Sequence, residues 1–555
     1  MKSSRLAVLG AVLLALTAGT VAADRWPGGS TVASARAVSG TAVTLPATGV
    51  AAVPVCPGPE TLVVPAGGAA VAPPGPVVVG SVVADHPQTL TLVDTTSPTA
   101  APAVAPAVAP AVAPAAATSA APLGELAGSL LASVSSGLGL LTVPRTAAGP
   151  VRLESARGVS QPALSSVQLS LGRSGDLRGL AAMACPTAST QAWLVGGGTQ
   201  LGRRGRLLLT NPAATPAVVD VSVLGPKGPL LAPAGTGVVL APGGQTALLI
   251  DALAPGLDAV AVHVQARTGR VVASLHDTYV RGLTPGGVDD VTPAAPAARR
   301  QLVPGISIAP PPGVPLPAAA GDPGAVAVRV ANPGRAEAVV RVHLLGDSGE
   351  LELPGGVITI PAETVRDVPL TQVPPGTYTA VVDADSAVIA GALVGRTVPG
   401  GQAAGTPAAL GVAVPPSELA WAASTEPLSA ATVVALPGLP AAGTKPAPIV
   451  ATLSLAAPAA AGNAEVVEIG ADGRAVATHR VAVPAATGAE QLLAPTAVAV
   501  LVRPVAGSGP LVAALMLQVP DAAGPMVSVI PVRSGPTGLG AQPAVIADPR
   551  TGLKA

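Results

Sequence analysis

The sequence predicts an all-β protein, built as tandem immunoglobulin- or fibronectin-like β-sandwich domains in an elongated array. Three observations predict it. Short Val-rich runs alternate with Pro and Gly turns along the chain, which carries 65 Gly and 63 Pro, and such runs favour strands over helices. A strand-and-turn pattern returns with a period near 120 residues. The chain has 555 residues, too many for one hydrophobic core.

The repeat is carried by three segments: "RLLLTNPAATPAVVDVSVLGPKGPL" (206–230), "AVRVANPGRAEAVVRVHLLGDSGEL" (327–351) and "VATLSLAAPAAAGNAEVVEIGADGRA" (450–475). The first two share a strand, an Asn-Pro turn, an alternating strand and a Gly-x-x-Gly corner. Asn211 and Asn332 stand 121 positions apart, as do Gly228 and Gly349. The third has lost the Asn-Pro, but its "GADG" ends 124 positions after Gly349. Strictly alternating stretches such as "VVDVSV" and "AVAVHVQ" fit strands with one buried face.

That alignment decides the reading of "GDSG" (346–349), the tetrad around the nucleophile of chymotrypsin-like proteases. In the sister segments its place is taken by "GPKG" and "GADG". Gly at both ends of two variable residues is what a tight hairpin demands. A nucleophile also needs a general base held by a third group, and His343 lies on the strand leading into the same turn. Ser348 is therefore read as a turn residue, and no catalytic residue is assigned.

The repeat sets the domain organisation. Residues 1–23 read as a signal peptide or membrane anchor. Lys2 and Arg5 precede an uncharged apolar run (6–22), and Val21-Ala22-Ala23 offers a cleavage site. A divergent β-domain is expected over 40–195, with strands at 50–56, 60–65, 77–84, 89–94, 150–154, 164–171 and 178–185. It carries an Ala-Pro insertion at 98–120, whose recurring Pro forbids a helix. Residues 121–141 are the best helix candidate. Sandwich repeats follow at 196–300, 301–425 and 426–533, and 534–555 read as a disordered tail.

Composition narrows the function. Lys plus Arg and Asp plus Glu are both 30, so the chain lacks the basic footprint of a nucleic-acid binder. Its densest cationic group, Arg203, Arg204 and Arg206, reads as a solvated strand edge. With no Phe, three Trp and two Tyr, the cores must be made of Val, Leu and Ala, and flat aromatic platforms for sugar rings are scarce. Trp193 and Trp421 are the main candidates for such a platform. Cys56 and Cys185 are the only cysteines. In an exported chain they suggest one disulfide, with two separate buried thiols as the alternative.

No metal or cofactor site is assigned. Neither cysteine has a Cys or His neighbour at ligand spacing, and the five histidines (His86, His263, His276, His343 and His479) form no such cluster. "DADS" (383–386) could offer oxygens to calcium, but no Gly-anchored ligand series follows it and a hairpin turn fits as well. Asp289-Asp290, at a domain joint, is equally thin. "WLVGGGTQLGRRGR" (193–206) lacks the P-loop Lys-Ser/Thr and reads as a tight crossing between the first and second domains.

The stretch "CPTASTQAWLVGGGTQLGRRGRLLLTNPAATPAVVDVSVLGPKGPL" (185–230), with "APGGQTALLIDALAPGLDAVAVHV" (241–264) and "GLTPGGVD" (282–289), resembles an uncharacterised family of exported or membrane-anchored actinobacterial proteins that carry a domain of unknown function. Members often show Trp where Val291 stands here. The resemblance implies export and a β-rich body, and it brings no activity or ligand. The expectation is a non-enzymatic, extracytoplasmic cell-envelope scaffold whose partner is an envelope protein or a wall polymer. Nucleic acid is excluded, and the membrane is touched only through the N-terminal segment if that stays uncleaved. The alternative is an accessory binding protein for envelope glycans or for a glycan-assembling enzyme.

Overall fold

The computed structural model describes residues 54–58, five strands between 77 and 155, and residues 163–230, 232–309, 325–397, 417–436, 449–470, 472, 474–521 and 524–534. The expected signal segment, the Ala-Pro tract, the strand at 60–65 and the tail beyond Ser534 lie outside the described residues. Strands make up 65% of the described residues and helix 2%.

The strands fall into four copies of one plan. The first copy holds β1 (Val55–Cys56), β2 (Val77–Val83), β3 (Leu90–Asp94), β4 (Ser129–Val134), β5 (Gly139–Pro144), β6 (Val151–Ser155), β7 (Ala163–Gly172) and β8 (Gly179–Ala184). The second holds β9 (Gln191–Val195), β10 (Arg203–Thr210), β11 (Ala217–Gly225), β12 (Gly228–Leu230), β13 (Val238–Leu240), β14 (Gln245–Leu249), β15 (Ala261–Thr268), β16 (Val272–Arg281) and β17 (Thr284–Val291). The third holds β18 (Ala298–Ile308), β19 (Val326–Asn332), β20 (Ala338–Gly346), β21 (Gly349–Ile360), β22 (Thr364–Pro369), β23 (Gly376–Thr397) and β24 (Ser417–Ala423). The fourth holds β25 (Thr432–Ala435), β26 (Val450–Ala457), β27 (Gly462–Gly470), β28 (Ala475–Val483), β29 (Thr487–Leu492), β30 (Ala497–Pro504), β31 (Val512–Val519) and β32 (Met526–Val532).

Each copy is two antiparallel sheets. In one, the third strand pairs with the fourth and sixth, and the first strand flanks the sixth; in the other, the second pairs with the fifth and seventh, and the eighth flanks the seventh. The second copy splits its fourth strand into β12 and β13, and the third copy runs its sixth and seventh together as the 22-residue β23. Immunoglobulin domains pair their B strand with E and their C strand with F. Here the second strand likewise pairs with the fifth and the third with the sixth, but the first strand flanks the sixth and not the second, and the seventh flanks the second and not the sixth, so the full immunoglobulin order is not the one found. Alternation in sequence fixes which face of a strand is buried, and leaves its neighbour open.

The expected elongated array is also replaced. The last strands of the copies pack on one another in turn: β8 on β17, β17 on β24, β24 on β32 and β32 on β8. The four copies therefore close into a ring with these strands innermost. Around it, the first sheet of one copy packs on the second sheet of the next. Trp193, Val195 and Ala261 of the second copy meet Ala331, Val365 and Ile389 of the third. Val303 and Ile306 of the third share a core with Ala514, Val527 and Val529 of the fourth. Val434, Val466 and Val502 of the fourth share one with Val167, Leu169 and Leu180 of the first. Small aliphatic side chains make both sheet faces sticky, so a sandwich covered on one face only would leave an apolar face in water.

Local expectations meet mixed outcomes. Within the helix candidate at 121–141 the described residues are β4 and the start of β5, paired with β3 and β2. A short apolar run reads equally as helix or strand until its partners are known. "DADS" is neither a loop nor a hairpin: it lies inside β23, where Asp383 pairs with Arg300 and the Asp385 carboxylate accepts from the Val339 N–H. The 193–206 stretch joins the two sheets of the second copy and does not cross between copies; β9 pairs with β15, and β10 with β14 and β16. Two of the three Gly-x-x-Gly corners behave as read, and the third, at 470–473, lies partly outside the described residues. Gly225 faces Gly228 and Gly346 faces Gly349 at hairpin ends, with φ of +129° at Gly228 and +119° at Gly349, a region that favours glycine.

Candidate functional site

Two of the four innermost strands carry acids within an apolar setting. β17 reads "TPGGVDDV" and β24 "SELAWAA", and their acids are buried: Asp289 is 1% exposed, Asp290 3% and Glu418 1%. Alternation along β17 turns Asp289 and Asp290 to opposite faces. Asp289 faces the ring axis. Its Oδ2 accepts from the Trp421 backbone N–H on β24 at 2.6 Å, and its Oδ1 lies 2.8 Å from the Ser528 hydroxyl on β32. Ser528 Oγ in turn accepts from the Ala182 N–H on β8 at 3.0 Å and lies 3.1 Å from the Ala182 carbonyl. One carboxyl and one hydroxyl thus tie all four inner strands.

Glu418 makes a second tie. Its Oε1 accepts from the backbone N–H groups of Val288 (3.3 Å) and Leu419 (3.2 Å). Gly179 and Gly287 leave room for it: a Cβ at either would come within 2.8 Å of its carboxyl. Burial pushes both the Asp289 and the Glu418 carboxyls well above the usual carboxylate range, more strongly than their backbone hydrogen bonds pull them down.

A second network fills the seam between the second and third copies. Arg203 is fully buried and forks onto Asp277, its Nε 2.9 Å from Oδ1. Asp277 also accepts from the Trp421 indole N–H at 2.7 Å. The indole lies between two guanidinium groups, Arg203 at 5.4 Å and Arg329 at 4.9 Å from the ring centroid. Arg329 forks onto Asp367 and also donates to the carbonyls of Gly197, Val260 and Asp258 across the seam. Desolvation opposes the Arg203 charge, but Asp277, together with Asp367 and Tyr279, offsets it and raises the guanidinium above its ordinary value. Gly196 lets the strand pass beneath the indole, where a Cβ would stand 2.9 Å from the ring.

A cleft of about 340 Å³, its mouth included, opens beside the axis between the first and second copies. His276, Asp290, Thr278, Ser170 and Gln168 line it, and His276 Nδ1 is hydrogen-bonded to Asp290. The Gln168 amide is occupied by Gly58, donating to its carbonyl at 2.7 Å and accepting from its N–H at 2.8 Å. Among the described residues no group of three or more His, Cys, Asp or Glu has metal-binding geometry.

Cys56 and Cys185 form a disulfide that ties β1 to the residue after β8. Ser348 is exposed at its turn and donates to Asp347. The two sugar-platform candidates are seam residues: Trp193 is 8% exposed and stacks on His263 at 4.2 Å, and Trp421 is 2% exposed. Arg203, read as a solvated strand edge, is buried and ion-paired. Asp277, Asp289, Arg329, Asp367, Glu418 and Ser528 were not singled out by sequence for this role. The available signal was acidic residues within otherwise apolar stretches, masked by the Gly and Ser beside them.

A family model matches residues 141–494, from β5 to just past β29, and its description is "Family of unknown function (DUF5719)". The chain belongs to this family. The match takes in the whole second and third copies and so the Arg203, Asp277, Trp421 and Arg329 network of their seam, while Ser528 of the axis network lies outside it. No curated protein matches the chain, and no solved structure does. Among the described residues no helix is long and apolar enough to cross a membrane.

Proposed function

We propose that this protein is a non-enzymatic interaction scaffold of the cell envelope, exported and working outside the cytoplasm, whose partner is an envelope protein or a wall polymer. The observation that supports this reading is the use made of its polar side chains. Those with chemical potential are committed at the axis and seam: Asp289, Glu418, Asp277 and Arg329 bond to other copies, and Arg203 is paired with Asp277 beneath Trp421. The chain presents loop ends to its surroundings instead. At one end of the second copy, Leu201 and Leu283 are 99% and 84% exposed, brought together by the Val280 N–H bond to the Gly202 carbonyl. The disulfide fits an oxidising compartment.

Crosslinking on intact cells, read by mass spectrometry, tests the proposal. The expected result is a reproducible crosslink from the 199–204 and 281–284 loops to one envelope protein or to wall polymer, lost in a Leu201→Asp/Leu283→Asp variant that still folds. Turnover of any substrate, abolished by His276→Ala, would contradict it.

A further inference from the structure

We infer that the closed ring is an acid-favoured state, held at its axis by Asp289 and Glu418 as neutral carboxyl groups and loosened between copies when they ionise. This goes beyond the scaffold reading and does not depend on it.

The hydrogen-bond count around Ser528 carries the inference. Its hydroxyl has one proton, and two acceptors are in reach: the Ala182 carbonyl at 3.1 Å and Asp289 Oδ1 at 2.8 Å. Its oxygen already accepts from the Ala182 N–H. Both contacts are full two-centre hydrogen bonds at once only if Asp289 brings a proton of its own. The carboxyl then donates to Ser528, Ser528 donates to Ala182, and Oδ2 still accepts from Trp421. Glu418 points the same way. Its Oε2 is buried and makes no hydrogen bond among the described residues, a costly place for a charged oxygen and a cheaper one for half of a neutral acid.

The charges around the pair do not neutralise it. On the first copy Arg178 attracts Glu418, but its guanidinium is bonded to Asp521 and the Gly524 carbonyl. On β17 Asp290 repels Asp289 and is itself bonded to His276 on β16. Arg203 and Arg329 are matched by Asp277 and Asp367. Arg396 stands opposite Glu418 in the β23–β24 register but turns to Ser307. Arg533, past β32, donates to the carbonyls of Pro293 and Ser424. Asp289 and Glu418 also repel each other, so ionising one makes the second harder to ionise and ionising both drives β17 from β24.

The sign follows from linkage. Both carboxyls are raised in the folded chain and ordinary in the unfolded one. As pH rises above the usual carboxyl range, near 4, the unfolded chain loses these protons first, so stability falls with pH until the folded groups ionise too. Each carboxyl shifts the unfolding equilibrium by roughly tenfold per pH unit in that window.

The experiment is urea unfolding of the full chain between pH 5 and 8, for wild type, Asp289→Asn and Glu418→Gln, with hydrogen exchange of the Val288 and Trp421 amides. The expected result is a wild-type midpoint that drops as pH rises, a shallower drop in each variant, and a lower protection factor at those two amides at pH 8 than at pH 5, with protection taken relative to the intrinsic exchange rate at each pH. Infrared spectra of the folded wild type at pH 7 supply a measure independent of variant folding: a protonated-carboxyl band is expected. A flat wild-type profile, or no such band, overturns the inference.

Discussion

Asn211 and Asn332 are fully buried at matching corners of the second and third copies. The Asn211 amide donates to the carbonyls of Thr215, Leu240 and Ala241, and its oxygen accepts from the Ala213 N–H. Asn332 repeats this with Ala336, Ile360, Pro361 and Gly334. Each side chain closes the turn after the second strand and pins it to the strand that enters from the other sheet. The Asn-Pro signal was read correctly as a turn, while its reach to a segment nearly 30 residues away was invisible because that acceptor is a backbone carbonyl. Asn332→Ala leaves buried carbonyls unpaired and is expected to cost about 2–3 kcal/mol in urea unfolding. Ser348→Ala, at an exposed hairpin tip, is expected to change nothing measurable. Equal losses in the two variants would remove the distinction between closing residue and tip.

At the scale of elements, strand existence was legible and strand company was not. Period-2 alternation marked β11, β15 and β20, and Gly-x-x-Gly marked two hairpins, because both are local. The helix expected over 121–141 failed because its apolar run had no periodicity to decide the matter, and its partners β2 and β3 lie far away in sequence. The disulfide was legible from a count of two. It joins β1 to the end of β8 across a sequence separation of 129, fastening the ends of a copy that lacks large aromatics. Cys56→Ser/Cys185→Ser is expected to lower stability by about 2–5 kcal/mol. Non-reducing mass spectrometry of the wild type should return one crosslinked peptide, and free thiols at both positions would remove the tie.

At the scale of the whole molecule, the ring was not legible because its seams look like ordinary core. Val195, Ile389, Val434 and Val529 alternate like any buried strand residue, and nothing in the pattern says that the opposing face belongs to another copy. The axis carried the better clue. Asp289, Asp290 and Glu418 stand among apolar residues, but acids beside Gly and Ser read as turn residues when each strand is considered alone. Their burial becomes reasonable only once four inner strands surround them. A closed ring also explains why first and last copies share a core and why Arg178 and Asp521, far apart in the chain, form an ion pair across that closing seam.

Small-angle X-ray scattering on residues 50–540, which form one compact unit, tests closure most directly. A closed ring of this length predicts a radius of gyration of about 23 Å. Four domains strung in a line would give roughly 40 Å or more, and that result would contradict the account.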